Sequence, residues 1–228
     1  NGNNERHEFT GQFGFLGTEI MAEGPMSKDG KASYLAMGRY STLSLFQTLG
    51  VSIGTDAVPL YGDGALKFNW KLKKGGSLSF FAIGGASDIE ILISDQTTYS
   101  DDVFGEGDRD QYFGTAMGVG GFTLKKPINE RTYLTSTVAF SHERQRSHHD
   151  FLIRSIDTTT NSISVDSLYP LMGYLFQVSK ASVFVSVNHK INRRHLIKFG
   201  LNADMYFFNM RDSALNIPHT EMIDRWDY

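Results

Sequence analysis

The chain has no cysteine, only five prolines in 228 residues, and no apolar run of transmembrane-helix length. The first absence excludes disulfide scaffolds and thiolate metal sites. The third excludes a helical membrane span, which needs about 18 consecutive apolar residues. Charge of one sign is lacking too. A net charge of −3 gives no electrostatic case for binding nucleic acid. The opening, residues 1–9, is polar and lacks a secretion-signal pattern, and it begins in mid-pattern, as a piece of a longer chain would. What is abundant is glycine (23 residues) and aromatics (13 %). That is a β composition, and one that suits a transmembrane β-barrel with a polar interior.

The clearest pattern runs from Ala65 to Gly84. Leu66, Phe68, Trp70 and Leu72 alternate with Lys67, Asn69, Lys71 and Lys73, so one face of an extended strand is apolar and the other charged or polar. Lys74-Gly75-Gly76 supplies a reversal, since glycine reaches positive φ without a Cβ clash. A turn centred on Gly75 pairs Leu72 with Leu78, Trp70 with Phe80 and Phe68 with Ala82.

Similar segments recur, and the spacing predicts eight strands, roughly 8–22, 31–43, 59–73, 77–87, 110–125, 132–142, 171–188 and 195–210. Together they form a strand region over 1–212, with 213–228 as a loop or the start of a next strand. In the first strand Phe9, Phe13 and Phe15 share a face, and in the second Tyr34 and Tyr40 oppose Leu35 and Met37, which leaves the apolar side of this pair open. A turn at Lys126–Glu130 pairs Leu124 with Leu134, Gly120 with Val138 and Gly118 with Phe140. The expected connections alternate short and long, the long ones being 44–58, 88–109 and 143–170.

Transmembrane barrels show that rhythm, with short periplasmic turns and long external loops. The expected strands also exceed the about 5–6 residues of globular sheets and are long enough to cross a bilayer tilted. The fold class read from the chain is therefore all-β, an antiparallel transmembrane β-barrel segment. As the strands are drawn, both ends of the chain lie on the external side, which points to a piece of a larger barrel. Two rivals are a complete eight-stranded membrane barrel with a structural or adhesive role, and a soluble barrel that holds an apolar ligand inside.

Glu23-Gly24-Pro25-Met26-Ser27-Lys28, Ser33-Tyr34-Leu35 and Arg39-Tyr40-Ser41 resemble a hairpin of TonB-dependent outer-membrane receptors, those of Bacteroidota-type bacteria above all. Val58–Asp63 running into Lys67–Leu72 resembles their next strand, and Leu78–Gly85 with Ser87-Asp88 the strand after it. The resemblance covers Phe9 to Leu92 and fades to architecture beyond. It implies a barrel of about 22 strands around a plug, with this chain supplying roughly a third. It also implies an outer-membrane location, contact with outer-membrane lipid, and energy from TonB acting through a plug that this chain lacks. A surface lipoprotein is a further expected partner. The cargo would be a scarce bulky nutrient: a siderophore, cobalamin, a glycan or a peptide.

The strand motifs carry no chemistry. Lys67, Asn69, Lys71, Lys198, Asn202 and Asp204 fall on the polar side and are the candidate lumen-facing residues. His148-His149 and His142 invite a metal, yet adjacent histidines on a strand point to opposite faces, and no ligand spacing accompanies them. Asp95, Asp101, Asp102, Glu106, Asp108 and Asp110 offer oxygen ligands in an order unlike a calcium-binding loop. Gly84-Gly85 and Gly118-x-Gly120-Gly121 lack the strand-to-helix context of a nucleotide site and read as close strand packing. No nucleophile–base pair or convergent carboxylate pair stands out, so no cofactor and no enzymatic activity are expected.

Overall fold

A computed structural model describes residues 2–14, 17–41, 43, 59–96, 106–157, 159–160, 162–216 and 221–227. These form one antiparallel sheet of ten strands, each paired with its neighbour in sequence. The strands are β1 (Glu8–Phe13), β2 (Thr18–Pro25), β3 (Ala32–Tyr40), β4 (Leu60–Lys71) and β5 (Ser77–Ile91), followed by β6 (Arg109–Asn129), β7 (Thr132–Asp157), β8 (Ser162–Lys190), β9 (Leu196–Asn216) and β10 (Glu221–Asp227). β1 and β10 are the edges, and no pairing between them closes the sheet. No helix among the described residues is long and apolar enough to cross a membrane, which says nothing of strands.

Four of the expected strands need redrawing. The segment 8–22 is a hairpin, β1 and β2, reversed where the Gly14 amide donates to the Gly17 carbonyl at 3.0 Å. Phe15 lies outside the described residues. The added crossing starts β1 at the same end as the β2–β3 turn, so the expected external start is corrected.

The connection expected over 143–170 is not a loop. It is the continuation of β7 and β8, which run 26 and 29 residues and end on either side of a turn at residues 159–160. The segment has no apolar alternation to betray it. Main-chain pairing holds it instead: Met117 lies opposite Glu143 and Arg109 opposite Phe151 on β6, and Asp157 opposite Ser162 on β8. The connection expected over 88–109 narrows to 92–108, and that over 44–58 lies outside the described residues. The tail forms the end of β9 and β10.

Both expected hairpin registers slip by two residues. Trp70 faces Leu78, Phe68 faces Phe80 and Leu66 faces Ala82, because the turn spans Leu72–Gly76 with both Gly75 (φ 81°) and Gly76 (φ 85°) in the left-handed region. Across β6–β7, Phe122 faces Val138, Gly120 faces Phe140 and Gly118 faces His142. A slip of two keeps every side chain on its face. The large-over-glycine pairing therefore survives as Phe140 over Gly120.

Register then sorts the whole sheet into two faces. One row reads Tyr34, Phe68, Phe80, Phe122, Val138, Val183, Ala203 from β3 to β9. The row beside it reads Phe9, Ala22, Ala36, Leu66, Ala82, Gly120, Phe140, Ala181, Met205 from β1 to β9. Tyr34 and Tyr40 thus belong to the apolar face, and Leu35 and Met37 to the other. Phe68, Phe80 and Phe122 stack along their row, with ring centroids 6.1 and 5.1 Å apart. No described element packs over this face. Among the described residues only Ala32, Leu43, Ile93 and Leu152 are buried apolar side chains, while Phe199, Leu201 and Met205 are more than 60 % exposed.

Candidate functional site

The opposite face is polar along its lower part, near the short turns. Its central row reads Asn69, Ser79, Thr123, Thr137, Phe184, Asn202 from β4 to β9. Ser79 Oγ donates to Asn69 Oδ1 at 2.8 Å, and the Thr123 and Thr137 hydroxyls bond at 3.0 Å. The neighbouring row carries Lys67, Phe81, Gly121, Ala139, Ser182 and Asp204, and the row on the other side carries Lys71 and Lys125. A depression of about 410 Å³ opens here, lined by Lys67, Asn69, Ser79, Thr123 and Lys125.

All six candidate residues lie on this face, but they do not converge. Lys67, Asn69 and Lys71 stand on β4, and Lys198, Asn202 and Asp204 on β9, five strand spacings away. At about 4.8 Å per strand the two groups are roughly 24 Å apart along the sheet. Within the second group Asn202 Nδ2 donates to Asp204 Oδ2 at 3.0 Å. The arrangement is a hydrophilic wall with two charged patches, and it assembles no reacting centre.

Above these rows the same face changes character. Arg39 and Asp63 form an ion pair at 2.7 Å, and the Arg39 guanidinium lies 5.6 Å from the Tyr61 ring centroid. A second depression, about 560 Å³, opens beside them and reaches Thr115 and Gln145. On β8 and β9, Tyr174 stacks with Phe176 (4.7 Å) and Tyr206 with Phe208 (6.0 Å), and Lys180 sits 5.6 Å from the Tyr206 ring. Neither the ion pair nor the aromatic group was visible in the sequence. Arg39 and Asp63 are 24 residues apart, and only the β3–β4 register makes them opposite.

The histidines are tied one by one. His142 Nδ1 bonds Ser179 Oγ at 2.8 Å, His148 Nε2 lies 2.7 Å from Asp150, and His149 Nε2 bonds Ser147 Oγ at 2.8 Å. His148 packs toward Tyr112 and His149 edge-on to Phe113, so the adjacent pair does point to opposite faces. Of the acidic residues, Asp101 and Asp102 lie outside the described residues. Asp110 is buried and accepts from the Ser94 amide (2.8 Å) and hydroxyl (2.6 Å). At the start of β6 Arg109 donates to both oxygens of Asp108, at 2.7 and 3.1 Å, and this bond holds the Asp108 carboxyl below its ordinary pKa. Among the described residues no three histidine or acidic side chains gather as a metal site would need.

Comparison with known proteins adds no identity. No protein-family model matches the chain, and no curated protein matches it.

Proposed function

We propose that this sheet is part of the wall of a transmembrane β-barrel in the outer membrane, belonging to a TonB-dependent receptor that imports a scarce bulky nutrient. The observation that carries the membrane part is the uncovered apolar face, continuous from β1 to β9. On β9 it runs from Ile197 through Phe199, Leu201, Ala203 and Met205 to Phe207, then gives way to Asn209 and Arg211. Those about 11 residues, tilted by about 45°, span close to the ~25 Å apolar belt of such barrels. A soluble sandwich or ligand-binding barrel would turn that face onto its own core. Here hydrocarbon is its natural solvent, and the hydroxyl- and lysine-bearing face lines a water-filled interior. The receptor part rests on the resemblance of residues 9–92 to that family.

Barrel wall leaves no role for catalysis, and the chain would contribute surface and shape to a passage whose cargo contacts lie on the polar face. The test uses the full-length protein in a bacterium. It should fractionate with the outer membrane, need detergent for extraction, and support growth on one limiting nutrient only while TonB is present. Recovery as a soluble protein without detergent contradicts the membrane reading. TonB-independent growth on every iron and carbon source contradicts the receptor reading and leaves the small structural barrel.

A further inference from the structure

In a meander of paired neighbours, alternate connections fall at one end of the sheet, so the β2–β3, β4–β5, β6–β7 and β8–β9 turns form a common rim. With the strand ends beside them these turns comprise residues 26–31, 71–76, 125–131 and 189–198, which is 29 of 228 residues. They hold 12 of the chain's 22 lysines and arginines but only 2 of its 25 acids, Asp29 and Glu130. The near-neutral net charge hides this separation. The four turns carry a surplus of 10 positive charges; residues 2–8, where β1 starts at the same end, add Arg6, Glu5 and Glu8, which leaves a surplus of 9 positive charges at this end and 12 negative ones over the rest of the chain.

All twelve cations are exposed, and among the described residues only Lys31 of the twelve is in an ion pair, with Asp29 at 2.6 Å. Apolar side chains stand exposed among them: Met26, Ile128, Ile191 and Leu196. A turn that merely faced water would have no use for these. A turn at a membrane surface would, since cations on its outer side reach head groups while neighbouring apolar side chains enter the acyl boundary; Lys71, Lys125 and Lys198, which the register puts on the polar inner face, take no part in this. The rim also begins where the apolar face ends. On that face Lys126 shares a row with Leu134, Val187 and Phe199 and lies one row from Trp70, and His189 lies opposite Ile197.

We propose that this rim docks on the phosphate-bearing head groups of an anionic phospholipid leaflet, and so fixes which way the wall stands in the bilayer. The inference rests on the membrane-wall reading and adds the chemistry of one of its two surfaces. Near an anionic leaflet each lysine or arginine is worth about a fivefold preference at low salt. The charge is spread over four separate hairpins, so no single turn is indispensable.

The test folds the full-length protein into nanodiscs of phosphatidylcholine containing a minority of phosphatidylglycerol, extracts it in neutral detergent, and measures the co-purifying lipid. The wild type should retain phosphatidylglycerol at about five times its bulk proportion or more, falling towards bulk as salt shortens the screening length to about 3 Å. Reversing four rim charges (Lys73→Glu, Lys74→Glu, Arg193→Glu, Arg194→Glu) should abolish the enrichment, and reversing Arg144 and Arg146 at the other end should leave it intact. Should the quadruple variant fail to fold, the salt series on the wild type still decides. A wild-type lipid ratio equal to bulk in correctly inserted protein overturns this inference alone, as does retention of an acidic protein in place of lipid. A chain that never needs the bilayer overturns the wall reading instead.

Discussion

The lower and upper halves of β7 and β8 are the same two strands with the same partner, yet they are built from different chemistry. In the lower half of β7 one face presents Leu134, Ser136, Val138 and Phe140, and β8 matches them with Val187, Val185, Val183 and Ala181. In the upper half the same face presents His142, Arg144, Arg146 and His148, tied by Ser179, by Asp88 (2.7 Å to Arg146) and by Asp150 (2.7 Å to His148). The ladder continues unbroken through the change. A strand of 26 residues extends about 85 Å, more than twice what a bilayer crossing uses. Strand length and the extent of the apolar face are therefore separate properties. The first is set by main-chain pairing and the second by side-chain polarity, which switches at His142.

The most direct way to break this contrast is to exchange polarity across it. Val138→Arg puts a charge in the middle of the apolar rows and should cost about 2–4 kcal/mol of folding stability in bilayers. Arg144→Val, six residues along the same face, should change it by no more than about 0.5 kcal/mol. Equal costs in a denaturant titration would mean that the two halves meet the same medium.

The upper end of the sheet also has a small core of its own. Ile93 and Leu152 are buried there, the Leu152 amide donates to the Asp108 carbonyl at 2.8 Å, and Asp110 anchors Ser94. Asp110→Ala strands the Ser94 donors and should cost about 1–3 kcal/mol. Amide exchange should speed up at residues 93–96 and 108–110 and stay unchanged around Val138. Uniform exchange across β7 would merge the two halves into one cooperative unit.

At the lower end the hairpin turns are held by backbone conformation. A Cβ at Gly76 would run into the Lys125 backbone, and the residue's φ is +85°. Gly76→Ala should therefore cost about 1–3 kcal/mol. Gly118→Ala, where a Cβ meets open space, should be close to neutral.

The smallest effect is electrostatic and local. Hydrogen bonds from Lys31 and then Ser27 pull the Asp29 carboxyl down from 3.8 to about 2. The group favours the folded turn above its ordinary pKa, and that contribution is lost as pH falls through the lowered value. The Lys31 and Ala32 amides, which donate to Asp29 and Ser27, should lose protection between about pH 4 and 2. In Asp29→Asn this pH dependence should vanish.

Much of the lower half was legible in the sequence and little of the upper half was. Phe68 and Trp70 alternate with Lys67, Asn69 and Lys71, so the two faces of β4 follow from period alone. Register was off by two because adjacent Gly75 and Gly76 both accept positive φ, and spacing cannot say how many residues the turn consumes. Glu143 to Asp150 is polar at every position, so no alternation marks it as strand. Only pairing with β6 and β8 does. The candidate residues share one face, as the period of two requires, but their separation into β4 and β9 groups needed the strand order. The charged rim needed it too, because its cations sit in four turns spread from residue 26 to residue 198.

The central claim is that one face of these strands meets hydrocarbon below His142 and water above it. Nitroxide labels at positions 137, 138, 144, 182 and 183, with oxygen and a water-soluble relaxant as probes in bilayers, test it most directly. The account predicts oxygen-rich, relaxant-poor surroundings at 138 and 183, and relaxant access at 137, 144 and 182. Aqueous or tightly packed surroundings at 138 and 183 would contradict it.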